Sequence, residues 1–180
     1  MRLFYAIPLP ERLAAFQAEL QGRARALAMA AKWPRPQGLH LTLAFLGEQP
    51  EDLLPKLLKI GRSAAASPAF ELRTAGLGGF PRTAAARILW LGVESEPAMD
   101  ALCSRLRKAL QDAGAPFDAK PFRPHITLAR PKVPVDLTPL GPALEPLRMR
   151  VDRFVLYQSI TDREGPRYEV LEAFPLAPMK

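Results

Sequence analysis

An α+β domain with a mainly antiparallel sheet is the fold this sequence predicts. Strand-like and helix-like stretches follow in the order β-α-β-α-β-β-α-β-β-β, without the regular alternation of a parallel βα fold. Two of the strand-like stretches share a pentad, His40-Leu41-Thr42-Leu43-Ala44 and His125-Ile126-Thr127-Leu128-Ala129, and a helical stretch precedes each. The 180 residues are 48% hydrophobic. That is ample for an interior, and 1–180 is read as a single domain, compact or of two small lobes sharing a core.

Residues 2–7 read as a strand that Pro8 and Pro10 end. Leu13, Phe16, Leu20, Ala24 and Leu27 step by three or four, which predicts a helix from about Glu11 to Ala31. Trp33-Pro34-Arg35-Pro36 breaks it. Leu39 to Leu46 is the next strand, closed by Gly47, and a helix from about Pro50 to Ala66 carries Leu53, Leu54, Leu57, Leu58 and Ile60. Ala69–Thr74 and Arg87–Val93 read as strands separated by the glycine-rich turn Gly76-Leu77-Gly78-Gly79-Phe80-Pro81. A third helix runs from a Ser95 cap to about Asp112, with Met99, Leu102, Cys103, Leu106 and Leu110 on one stripe. Phe122–Arg130 is the second histidine strand, followed by a proline-rich connector to about Pro146. Arg148–Ser159 and Arg167–Phe174 then read as strands joined by the polar turn Thr161-Asp162-Arg163-Glu164-Gly165.

Charge and cysteine content narrow the function classes. With 25 basic and 18 acidic residues the net charge is +7, which favours polyanionic partners, nucleic acid first. No apolar stretch is long enough to cross a bilayer, and the prolines come too early for a secretory signal. The single cysteine, Cys103, cannot form an internal disulfide and is read as a buried helix residue. A cytoplasmic, monomeric protein is expected.

The chain has two histidines, and both lie in the pentads. Histidine is the side chain whose unperturbed pKa lies near neutrality, so it is the usual proton carrier. Strand alternation sends His40, Thr42 and Ala44 one way, and likewise His125, Thr127 and Ala129, opposite the aliphatic anchors. Two such His–Thr pairs side by side suit in-line opening of an RNA 2′,3′-cyclic phosphodiester. A neutral imidazole takes the proton of the attacking water, and a protonated one gives its proton to the leaving oxygen. Threonine hydroxyls steady the non-bridging oxygens. Alternation aims Arg130 away from the pair, but Pro131 ends the strand there, so its guanidinium can turn back to the phosphate.

With these motifs the chain resembles the two-histidine (2H) phosphoesterase superfamily, in particular its RNA 2′,3′-cyclic phosphodiesterases, historically called 2′-5′ RNA ligases. The likeness extends beyond the two His-x-Thr-x motifs to Arg2–Ile7, Phe45-Leu46-Gly47-Glu48, Phe80-Pro81, Leu89–Val93, Phe122-Arg123-Pro124 and the tail from Val155 through Tyr168 to Leu176. The resemblance implies a bilobal fold: two antiparallel sheets related by a pseudo-twofold axis, with helices outside and a central cleft. It implies His40 as proton donor, His125 as proton acceptor, and Thr42, Thr127 and Arg130 holding the phosphate. It also implies a 2′-phosphomonoester product, hence a 3′ leaving oxygen. The pentads are so alike that the sequence by itself does not say which histidine is the donor.

Weaker signals and rivals complete the reading. Phe45 and Tyr157 are candidates for stacking on a base. Gly76–Gly79 lacks the spacing of a phosphate-binding loop. No Cys/His cluster has metal spacing, so neither metal nor cofactor is expected. The expected partner is RNA with a 2′,3′-cyclic phosphate end, or a 2′,3′-cyclic nucleotide. One alternative is a non-catalytic module that binds RNA ends in the same cleft; another is ligation through a 2′-5′ bond at the same site.

Overall fold

Alternating burial along the strands fixes which face of the sheet meets the helices. The computed structural model describes residues 1–142, 145–162 and 165–179. Its strands are β1 (Arg2–Pro8), β2 (Ala31–Lys32), β3 (His40–Glu48), β4 (Phe70–Phe80), β5 (Ile88–Val93), β6 (His125–Pro131), β7 (Arg148–Val151), β8 (Arg153–Asp162) and β9 (Gly165–Pro175). The helices are α1 (Arg12–Ala26), α2 (Leu54–Ala64) and α3 (Pro97–Asp112).

Eight of the nine strands form one path, β7-β4-β5-β6-β3-β1-β8-β9, and β2 pairs with β6 off it. Every pairing between them is antiparallel. The histidine strands β3 and β6 are adjacent at the centre and meet at the pair Leu41–Ile126. The sheet therefore consists of two half-sheets, one of four strands and one of four plus β2, joined at their narrowest point rather than separate.

Leu3, Tyr5 and Ile7 of β1, Leu89 and Leu91 of β5, and Phe154 and Leu156 of β8 face one way. They pack against Leu13, Phe16 and Leu20 of α1, Leu57 and Ile60 of α2, and Met99, Leu102, Leu106 and Leu110 of α3. Leu41 and Ile126 are fully buried in this core, each burial contributing ~1.5–3 kcal/mol. Register is thus strongly specified, because a slip of one residue would bury the histidines and expose the leucines.

Several elements differ from the sequence expectation. The first helix stops at Ala26, not Ala31: Ala28 turns to φ +52° and the Met29 amide donates to the Ala24 carbonyl. Alanine-rich sequence favours continued helix, but Ala31 and Lys32 gain more by pairing with β6. The glycine-rich segment 76–80 is strand, not turn. Gly78 is needed there because a Cβ would lie 2.2 Å from the Trp90 ring. The Ser95 cap is replaced by Glu96, whose side chain accepts from the Ala98 amide. The stretch 148–159 divides at Asp152 into β7 and β8. Of the polar turn after it, Arg163 and Glu164 lie outside the described residues. Among the described residues no helix is long and apolar enough to cross a membrane.

Candidate active site

Register brings the two histidines together. Leu41 pairs with Ile126, so the flanking positions meet as His40 with Thr127 and Thr42 with His125. Directly opposed residues of an antiparallel pair project to the same side. Since Leu41 and Ile126 face the core, the four polar side chains project from the other face, where each is half-buried.

Both histidine strands carry the same irregularity. Ala6 pairs with Thr42 while Tyr5 pairs with Ala44; Trp90 pairs with Thr127 while Leu89 pairs with Ala129. Leu43 and Leu128 are each left without an opposite partner, which makes a β-bulge. Beyond it the alternation changes phase. Leu43 and Ala44 both lie in the core, as do Leu128 and Ala129. The alanines therefore do not floor the groove, as strict alternation predicts. The next residues, Phe45 and Arg130, come onto the histidine face instead. Phe45 packs against the small cluster of Phe4, Ala6, Val155 and Tyr157 that covers this face beside His40. Arg130 is exposed, and its charge reaches both His40 and Tyr168 in the other half-sheet.

Helix side chains satisfy the carbonyls of the bulge residues. The Cys103 thiol of α3 donates to the Leu43 oxygen at 3.4 Å. The Gln17 amide of α1 donates to the Leu128 oxygen at 3.4 Å and to the Pro34 oxygen at 3.0 Å. Burial pushes the Cys103 thiol up to about 11, so it is inert at neutral pH.

The two imidazoles are held alike. Nδ1 of His40 lies 2.7 Å from the Gly38 carbonyl oxygen, and Nδ1 of His125 lies 2.6 Å from that of Arg123. A carbonyl oxygen only accepts, so each Nδ1 carries hydrogen and donates. Nε2 is then the nitrogen left for chemistry, with a lone pair when neutral and a proton when charged.

The surroundings differ. His40 sits 4.8 Å from the Phe4 ring and 5.0 Å from Tyr168, which meets it edge-on. Burial pushes its pKa below the ordinary 6.5; the Gly38 carbonyl opposes this, while the charges of His125 and Arg130 add to it. His125 has Phe80 edge-on at 5.0 Å and Trp90 at 6.5 Å.

Of the two aromatic candidates, Phe45 is half-exposed, with the Arg2 guanidinium 5.1 Å from its ring centre. Tyr157 is only 7% exposed. Its ring packs 5.2 Å from Phe4 and 6.0 Å from Tyr168. It therefore supports the wall behind His40 instead of offering a face to a base, which corrects the sequence expectation. Reading the sequence gave no role to Phe4, Tyr168, Phe80 or Trp90. Alternation separates Phe4 from Leu3 and Tyr5, but only the pairing places it against His40. Among the described residues, no three His, Cys, Asp or Glu side chains gather as a metal-binding group.

A sequence model of the family described as the 2′-5′ RNA ligase superfamily matches residues 9–163. A Thermus thermophilus relative named RNA 2′,3′-cyclic phosphodiesterase is 40% identical, the alignment covering 98% of this chain and 90% of the relative. A relative of the same name from Thermotoga maritima is 34% identical, covering 95% and 93%. The structure of E. coli LigT complexed with 3′-AMP superposes with a TM-score of 0.80 at 29% identity, covering 97% of each chain.

Proposed function

The chain belongs to the 2′-5′ RNA ligase superfamily, and from that premise we propose that it is an RNA 2′,3′-cyclic phosphodiesterase that leaves a 2′-phosphomonoester. The observation that carries this reading is the matched pair of imidazoles. Each has Nδ1–H committed to a carbonyl, and each stands beside a threonine on one face of the sheet.

The cyclic phosphate lies between the two Nε2 atoms. His125 takes a proton from water as the water oxygen bonds to phosphorus. The bond to the ribose 3′ oxygen breaks, and His40 gives that oxygen its proton. Thr42 and Thr127 donate to the non-bridging oxygens, and Arg130 adds its planar fork. Burial disfavours the His40 imidazolium in the substrate-free site. The phosphodiester anion opposes this by favouring the charged form that a donor needs. Each acid–base group supplies ~10²–10⁴-fold, and the scheme calls on no metal. The E. coli relative's complex with 3′-AMP supports a terminal ribonucleotide as the occupant.

The test is product identification from RNA bearing a 2′,3′-cyclic end, in excess chelator. A 2′-phosphate end is expected. A 3′-phosphate would reverse the leaving group, and activity lost only to chelator would overturn the metal-free scheme. Intact substrate would favour a binding module, and joined ends exceeding hydrolysed ones would favour ligation.

A further inference from the structure

Lys32 stands directly opposite Arg130 where β2 pairs with β6. The neighbouring pair, Ala31 and Pro131, is turned inward: Ala31 packs on the main core and Pro131 is buried. Lys32 and Arg130 therefore project together onto the histidine face, and both are exposed.

Like charges placed directly opposite disfavour strand pairing, and nothing here relieves them. Among the described residues neither Lys32 nor Arg130 forms an ion pair. Both cations are thus kept at an unfavourable spacing, with their donors open to solvent. The Arg130 charge acts on His40, and Lys32 stands on the adjacent strand, which pairs with β6 just past the β3 contact.

We propose that Lys32 and Arg130 form a second anion site beside the histidine pair, which takes the internucleotide phosphate preceding the terminal residue of an RNA oligonucleotide. The proposal rests on the hydrolase reading above and adds a preference for polymer over monomer, because a 2′,3′-cyclic mononucleotide lacks that phosphate. The guanidinium has five donors, enough to face the reacting phosphate and share the next one. Lysine supplies a point charge that follows a flexible backbone without reading sequence.

The experiment compares wild type with Lys32→Gln on three substrates: a 2′,3′-cyclic mononucleotide, a dinucleotide with a 2′,3′-cyclic end, and that dinucleotide with an uncharged methylphosphonate linkage. On the charged dinucleotide, kcat/KM falls about two- to fivefold at low salt, the range of an exposed charge pair. The loss lies in KM and shrinks on the other two substrates. The slope of log(kcat/KM) against log salt drops by about 0.7, one single-strand phosphate contact. Lys32→Arg restores the preference. A thermal midpoint no lower than wild type shows that the fold is intact, since the substitution removes a repulsion. Equal losses on all three substrates, or no loss on the charged one, would overturn the second site. If wild type turns over none of them, the hydrolase reading fails separately. Fluorescence anisotropy with the charged and uncharged dinucleotides then still reports whether Lys32 senses the linkage.

Discussion

The His40 half-sheet and the His125 half-sheet build one local frame and furnish it differently. In both, a histidine's Nδ1 is tied to the carbonyl two residues earlier, and a threonine shares its face. A bulge follows in both, and a buried helix side chain caps its carbonyl. Beyond the bulge the halves diverge. The first presents Phe45 and is walled by Phe4, Tyr157 and Tyr168. The second presents Arg130, with Lys32 beside it, and is walled by Phe80 and Trp90. In the proposed reaction the repeated part supplies what proton transfer at one phosphorus needs, two nitrogens delivered alike. The same proposal gives the divergent part to recognition, with an aromatic side for a base and a cationic side for phosphate.

The largest effect tests the repeated part. His40→Ala and His125→Ala should each lower kcat/KM by ~10²–10⁴-fold, since each removes one acid–base group. Thr42→Ala and Thr127→Ala remove a hydrogen bond to charge but no proton carrier, and cost ~10-fold. One histidine variant with a near-native rate would show that the halves are not chemical partners, and the pairing would have to be abandoned.

The divergent part is tested next. Arg130→Ala should cost ~10–100-fold, from hydrogen bonds to a charged group worth ~1.5–3 kcal/mol. It should do so on every substrate, including ribose 2′,3′-cyclic phosphate, which has no base. Phe45→Ala should cost about fivefold on nucleotide substrates, the lower end of base stacking because Arg2 already covers one face. On the base-free sugar phosphate its cost should vanish. Steady-state kinetics on the matched pair of substrates separates the two, and a Phe45 effect that persists without a base would remove its assigned role.

Much of this frame was legible from residue types. Alternation and apolar spacing marked the main strands and all three helices, because each must turn one face inward. The pentads marked the candidate site, since they hold both histidines of the chain. What could not be read depends on neighbours. The bulges at Leu43 and Leu128 arise from register with β1 and β5, and nothing in His-x-Thr-x-Ala marks the residue that lacks a partner. Alternation therefore put Ala44 and Ala129 on the wrong face and aimed Arg130 away. Lys32 was hidden for a similar reason: Ala28 to Ala31 favours helix locally, and only pairing with β6 makes it strand. Gln17 carries no signal in the sequence, yet it is 1% exposed and supports the second bulge.

The smallest effect is electrostatic, and it tests whether the two half-sheets act on one site. Burial is the chief reason that the His40 imidazolium is disfavoured, the Gly38 carbonyl opposes it, and the charges of His125 and Arg130 deepen it. Arg130→Gln removes one positive neighbour and leaves the burial, so the pKa of His40 should rise while staying below 6.5. NMR titration of the ring measures that rise independently of rate. A midpoint that falls or does not move would show that the Arg130 charge does not act on His40, and the two half-sheets would not share one site.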